Sequence, residues 1–326
     1  MTVCSIVVLT YNSQSDIQDC LKSVSDQSFE EEYEIIVADN NSTDGTVSLV
    51  KKEFPTVELV EFNQNWGTAE GYNRAFNYTK GEYVVYLNPD TVVHYEWLEM
   101  LYKTLVGTEA AAAHSCVFEP YHEEFEGLNR HANPGRRVMF EMTPWGFIDD
   151  HYTGTEPQNT LFLSATSMMI RRDIVQELDE LFDANLPMYG DDLDLSLRLT
   201  LLGYRTVHAP NSIVYHRQFQ KEKLTEPRWL LKKYVWLTTS RFQCFYKTTT
   251  RMEYLMLMPR LLLAGVINIR ILNISNWKKI GAYIASVFLS LYSLMYALLK
   301  RKQYDQKRER LLERQRNSIY RQVSRR

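Results

Sequence analysis

Cysteine is scarce in these 326 residues, and Cys4, Cys20, Cys116 and Cys244 form neither a CxxC pair nor a Cys/His ligand spacing. That excludes a zinc ribbon and a disulfide scaffold and leaves four reduced thiols. A GxGxxG turn is also missing, which removes the phosphate grip of a nicotinamide oxidoreductase. The first ten residues alternate as a strand does and lack a basic start with an apolar core, so no secretory signal is read there and the active part is expected in the cytosol. No lysine-rich loop follows that first strand, which weighs against a nucleotidyltransferase.

Charge of one sign is missing from each part of the chain. Residues 1–217 carry 14 Lys+Arg against 34 Asp+Glu, a balance of -20, whereas residues 218–326 carry 23 against 6, a balance of +17. The acidic part argues against nucleic-acid binding, and the basic, apolar remainder suits an anionic membrane surface. The division predicts a catalytic domain over 1–220 and a helical C-terminal region over 221–326.

The pattern of the first part is β-α-β-α. Strands are predicted at Val3 to Thr10, Tyr33 to Ala38, Val57 to Phe62 and Tyr83 to Leu87, and helices at Ile17 to Val24, Thr46 to Phe54 and Ala69 to Tyr78. The fold class is α/β, a mixed, mostly parallel sheet covered by helices on both faces, with the loops after the strands forming one functional edge. Thr10-Tyr11-Asn12, Asp39-Asn40-Asn41 and Asn88-Pro89-Asp90 are expected to converge there. Residues 116–159, rich in His, Pro, Gly, Glu and aromatics, are expected to form an irregular functional loop that contacts the acceptor. Regularity returns over Leu161 to Arg171, followed by helices at Asp173 to Leu181 and Asp191 to Leu202, then a strand over Ser212 to Tyr215.

Several residue groups carry candidate chemistry. Pro89 ends the strand before it, so Asp90 emerges at the sheet edge, where one carboxylate is enough for a hard cation that also takes phosphate and water oxygens. A turn Asp capping the next element is the alternative. Asp39, at a strand tip, can accept a hydrogen bond from a nucleobase or ribose, while Ser42 to Thr46 read as a helix cap. In the segment Asn65 to Arg74, glycines such as Gly71 let a backbone approach a diphosphate, Asn65 and Asn73 supply polar groups, and Arg74 neutralises charge; packing glycines explain the same spacing. Asp191, Asp192 and Asp194 open an apolar helix. One acid suffices for a cap, and three repel one another unless a cation, an arginine or a proton is shared among them. His216 closes a strand and is either a metal ligand or a structural histidine. His94, His114 and His208 rank below it.

Taken in order, these segments resemble a known family, the inverting glycosyltransferases of family 2 with the GT-A (Rossmann-like, nucleotide-diphospho-sugar transferase) fold, and within it the rhamnosyltransferase-like members. The likeness runs through Val7-Val8-Leu9-Thr10-Tyr11-Asn12, Val37 to Thr46, Asn65 to Arg74, Leu87-Asn88-Pro89-Asp90-Thr91, Met168 to Arg172 and Asp191 to Leu199, about the first 220 residues. The resemblance implies that Thr10, Tyr11 and Asp39 hold the nucleoside of a nucleotide-sugar donor, with Asn12 and Asn88 on the same edge. It implies that Asp90 binds Mg²⁺ or Mn²⁺, with His216 as second ligand, that Asp192 deprotonates the acceptor hydroxyl, and that Asp191 orients acceptor or base. Asn88 stands where the first acid of a DxD pair is common, Asp191 is shorter than the usual Glu, and His216 lacks a following glycine.

The C-terminal region adds an expectation of place. Residues 280–299 carry no formal charge across twenty positions, bracketed by Lys278-Lys279 and Lys300-Arg301-Lys302, and residues 259–273 are apolar apart from Arg260 and Arg270. This fits a span or an interfacial hairpin, with Trp277 and Tyr283 at headgroup level. A helical subdomain or a homo-oligomer interface is the alternative. The expected enzyme thus works at the cytoplasmic face of the cell membrane on a glycan or lipid-linked acceptor, in polysaccharide biosynthesis. A catalytically silent nucleotide-binding scaffold and a processive polysaccharide synthase are the competing readings.

Overall fold

The computed structural model describes residues 2–118, 137–142, 148–178, 180–186, 190–217, 227–249 and 252–259, together with 288, 305–306, 309–310 and 312–313. The chain divides into two compact units. One comprises Met1–Glu141, Asp150–Ala184 and Arg205–Gln220; the other comprises Met142–Asp149, Asn185–Tyr204 and Lys221–Arg326. The segment with Asp191 and Asp192 therefore groups with the C-terminal residues.

In the first unit, strand β1 (Cys4–Thr10) is buried along its whole length, as its run of β-branched and apolar residues requires. It lies between β2 (Tyr33–Asp39) and β4 (Tyr83–Leu87), parallel to both, and β3 (Glu58–Glu61) extends this parallel half. Helix α1 (Ile17–Ser25) buries Ile17, Cys20, Leu21 and Val24, the spacing of one helical face. Helices α2 (Thr46–Glu53) and α3 (Gly67–Ala75) follow β2 and β3. Up to this point the predicted alternation holds, with ends shifted by up to three residues.

The second half of the sheet departs from the expected pattern. The order is β3-β2-β1-β4-β10-β6-β11-β5, where β5 is Thr91–Val93, β6 is Ala112–Phe118, β10 is Ser167–Arg171 and β11 is Thr206–His216. Strand β10 runs antiparallel to both β4 and β6, and β5 and β9 (Gln158–Asn159) run antiparallel to β11. Within this sheet four pairings are parallel and four antiparallel among the described residues, so the sheet is mixed, as expected, but not mostly parallel. Within 116–159, where an irregular loop was expected, the described residues include the end of β6, β9 and a separate pair, β7 (Arg137–Met142) with β8 (Ile148–Thr153); residues 119–136 and 143–147 lie outside the described residues. Strand β11 starts six residues before the predicted Ser212. Pro210 cannot donate to a ladder, and the register shifts between Ala209 and Ile213, so the strand passes its proline through a bulge. Helix α5 (Arg172–Glu177) stops short of Leu181 because Leu178 is already extended.

Helix α4 (Trp97–Gly107) covers the outer part of the sheet and has no counterpart in the predicted pattern. Buried Trp97 donates from Nε1 to Ser115 Oγ (3.0 Å) and Ser167 Oγ (2.9 Å), and Ser212 Oγ donates to the Trp97 carbonyl. Three hydroxyls inside a core are tolerable because each has a partner. All four cysteines are buried, and none is in a disulfide.

In the second unit, α6 (Asp191–Leu201) and α7 (Pro227–Thr248) pack together, and Phe242, Phe245, Tyr246 and Tyr254 form a small core with Leu197 and Met258. Among the described residues no helix is long and apolar enough to cross a membrane. Residues 280–299, apart from Phe288, and most of 260–326 lie outside the described residues.

Candidate active site

Strands β1, β2 and β4 are parallel neighbours, so their carboxyl ends open on one edge, as expected. Thr10 and Asp39 are register partners, and Thr10 Oγ1 donates to Asp39 Oδ1 at 2.9 Å. Ser42 adds its hydroxyl to Oδ1 (2.6 Å) and its backbone N–H to Oδ2 (2.8 Å). Asp39 is 2% exposed, and these three bonds leave Oδ2 with one acceptor direction. The loops that follow are laced together. Asn12 N–H donates to Ser42 Oγ, Thr43 N–H to Asn12 Oδ1, and Gly45 N–H to Gln14 Oε1, each at 2.8 Å. Asn12 holds the left-handed conformation (φ 52°) that this turn needs and that asparagine tolerates. Tyr11 projects from the laced pair, 49% exposed.

The segment from Asn65 to Arg74 is engaged in its own structure. Asn65 Oδ1 accepts from Gly67 N–H, and Asn73 exchanges two hydrogen bonds with the backbone of Phe182. A Cβ on Gly71 would lie 2.8 Å from a Leu9 methyl, and Arg74 pairs with Glu70 while stacking 3.6 Å over Trp66. These contacts account for Asn65, Gly71 and Asn73 without a ligand.

Three residues, Asn88, Pro89 and Asp90, carry the chain from β4 to β5. Four strand intervals separate the two along the sheet path, about 19 Å if flat, whereas four Cα steps reach about 14 Å at most. The sheet therefore curls at this end, and the corner is Asp90. Thr91 is the register partner of His216, which brings His216 Nε2 to 3.2 Å from Asp90 Oδ1. Next to it, Arg217 N–H donates to the Asp90 carbonyl while its guanidinium pairs with Asp16 (2.7 Å) and Asp19 (3.3 Å) of the α1 region. The sequence reading passed over Arg217. Its only signal was a basic residue directly after His216. Asn88 accepts at its carbonyl from Thr91 Oγ1 (2.7 Å) and receives the Cys20 thiol at 3.7 Å. Burial pushes that thiol up to about 12, so it stays protonated near the corner.

In the second unit Asp191 and Asp192 are half-buried at the head of α6. Desolvation, reinforced by the Asp191 carboxylate, pushes Asp192 up to about 8, and desolvation also raises Asp191. Asp194 is fully buried between Arg198 Nε (2.7 Å) and Lys247 Nζ. Cations thus answer the repulsion at Asp194, while desolvation favours the protonated forms of the other two. Lys247 was not legible as the partner, being fifty-odd positions away. His114 and His208 are register partners buried in the sheet with their rings tilted against each other, both held below the ordinary histidine range by desolvation, His208 at about 4.

Residues 5–179 match the sequence pattern of glycosyl transferase family 2. The chain belongs to that family. The matched stretch includes Thr10, Asp39 and Asp90; Asp192 and His216 lie beyond it. Among relatives, glycosyltransferase AglE of Haloferax volcanii is 22% identical over 220 residues, which is 65% of this chain and 66% of AglE. Across the first curated relatives, the matched stretch spans 31% to 66% of the relative's own length. The family fold recurs in the mannosyltransferase PcManGT of Pyrobaculum calidifontis, solved with GDP-Man and Mn²⁺, at TM-score 0.59 and 18% identity over 97% of this chain and 87% of that one. It recurs in Staphylococcus aureus TarS 1–349 with UDP-GlcNAc, at TM-score 0.57 and 18% identity over 99% and 92%. The mixed sheet is therefore a GT-A-like sheet.

Proposed function

We propose that this protein is a metal-dependent inverting glycosyltransferase. It moves a sugar from a nucleotide-diphosphate donor, a dTDP- or UDP-sugar such as a rhamnose donor, to a hydroxyl of a lipid-linked or cell-surface glycan. The observation that carries this reading is the Asp90–His216 pair at the sheet corner, in a chain of family 2. Two neighbouring ligands of an octahedral Mg²⁺ or Mn²⁺, each about 2.1 Å from the ion, lie about 3 Å apart. The 3.2 Å between Asp90 Oδ1 and His216 Nε2 fits that edge. Asp90 and His216 would hold the ion, which when bound neutralises charge on the departing diphosphate.

The remaining work belongs to the chain. Tyr11 offers an exposed ring against a nucleobase, and Asp39 has one acceptor direction left for a ribose hydroxyl or base N–H. Asp192, held at about 8, has a proton affinity suited to taking a proton from an acceptor hydroxyl near neutral pH. A single displacement inverts the anomeric carbon. Support for a surface-glycan acceptor comes from the name of one relative, the poly(ribitol-phosphate) β-N-acetylglucosaminyltransferase TarS. We place the work of residues 1–220 at the cytoplasmic face of the membrane, with the basic C-terminal region against anionic lipid.

Calorimetric titration of the full chain with UDP in the presence and absence of MnCl₂ tests the corner. Asp90→Ala is expected to abolish the manganese-dependent part of binding, and His216→Ala to weaken it about tenfold or more. Undiminished manganese-dependent binding by Asp90→Ala would sink the assignment.

A further inference from the structure

Helix α7 meets the head of α6 along one stripe. Ser240, Cys244 and Lys247 are spaced i, i+4, i+7 and so share a face. Ser240 lies so close to Gly190 that a Cβ there would sit 2.3 Å from its own Cβ. Cys244 Sγ donates to the Gly190 carbonyl at 3.5 Å, and Lys247 Nζ reaches Asp194 Oδ1. Gly190 and Asp194 are themselves joined, by the Asp194 N–H to Gly190 carbonyl bond of 2.9 Å. Asp191 and Asp192 are the first residues between these two anchored positions.

An apolar contact between helices tolerates sliding and rotation; a buried ion contact and a side chain seated on a glycine do not. Asp194 is 0% exposed and Lys247 2%, and Arg198 already gives Asp194 one cation. The second cation ties α6 to another helix, which Arg198, on the same helix, cannot do. We propose that Lys247, with Ser240 and Cys244, is a positioning clamp that fixes the first turn of α6 and thereby the direction in which Asp192 presents its carboxylate. This rests on Asp192 being the base. Among the described residues, the charged and titratable groups in contact with that turn include Asp191, Asp194 and Arg198 on α6 and Cys244 and Lys247 on α7. Loss of the lysine charge leaves Asp191 and Asp192 in a more negative field, which favours their protonated forms.

The test uses the full chain with manganese and four donors, UDP-GlcNAc, UDP-glucose, GDP-mannose and dTDP-rhamnose, reading donor turnover beside a ¹³C-carboxylate NMR titration without donor. Asp192→Asn assigns the Asp192 resonance. Lys247→Met is expected to lower turnover about 100-fold, with donor KM changed less than about twofold, and to move the Asp192 midpoint to higher pH; Lys247→Arg restores most of both. A folded Lys247→Met with wild-type turnover and an unmoved midpoint overturns the clamp. Should Lys247→Met not fold, the glycine seat decides. Gly190→Ala is expected to lose turnover and Gly190→Ala/Ser240→Gly to regain about tenfold of it, and failure of either overturns the clamp. Asp192→Asn with full turnover removes the base itself. An inactive Asp192→Asn beside an unaffected Lys247→Met removes the clamp alone.

Discussion

Asp192 stands at the head of a helix, where a negative charge is ordinarily welcome, yet it is pushed up to about 8. Desolvation and the Asp191 carboxylate outweigh the helix end. In the unfolded chain an aspartate holds its proton only to about pH 4, so between about 4 and 8 the folded protein binds the extra proton and stability falls as pH rises. Asp192→Asn removes that slope. Thermal melts at pH 8 are expected to show the variant above wild type, with no gain at pH 4. Turnover should move oppositely, rising about tenfold per pH unit from 6 toward 8 in wild type and vanishing in Asp192→Asn. A wild-type pH–rate profile flat across that interval would contradict the assignment. That this acid-rich helix head needs compensation was legible in the sequence, because three like charges in four positions repel one another. The compensating Lys247 was not, because helix-to-helix pairing leaves no trace at fixed spacing.

At the scale of elements, the parallel half of the sheet was readable because each strand is a short apolar run punctuated by turn residues. The antiparallel half was not. Strand direction is set by how the chain returns, and β10 returns from a stretch whose composition resembles a loop. Three-residue β5 is too short to show any period, yet it carries the pairing that brings His216 to Asp90. In the parallel half, Gly81 lies so close to β1 that a Cβ would come within 2.7 Å of backbone atoms of Cys4 and Ser5, and its N–H donates to Ser5 Oγ at 2.7 Å. Backbone cannot swing aside as a side-chain tip can. Gly81→Ala should therefore cost about 1 to 3 kcal/mol in urea unfolding, with an unchanged denaturant slope. A loss below about 0.5 kcal/mol would mean that the β1–β4 start is more yielding than its geometry implies.

For the whole molecule, the imbalance of -20 over residues 1–217 and +17 beyond is the dominant electrostatic fact. A basic, apolar region held against an anionic bilayer gains about 1 kcal/mol per Lys or Arg near the surface, and salt erodes that gain. Sedimentation of the full chain with vesicles of phosphatidylglycerol and phosphatidylcholine is expected to show binding that scales with the anionic fraction and weakens by at least about tenfold between 0.05 and 0.5 M NaCl. Equal binding to pure phosphatidylcholine would point to insertion without a charge contribution.

The corner at Asp90 has a consequence for the order of events in the cell. Asp90 leaves the ribosome long before His216, and the two meet only when the last strand is laid antiparallel against Thr91 to Val93. A slip of one residue in that pairing would turn the imidazole to the opposite face of the sheet. An unfinished or misregistered chain thus holds the carboxylate and lacks the imidazole beside it, so completing the sheet and assembling this corner are one event.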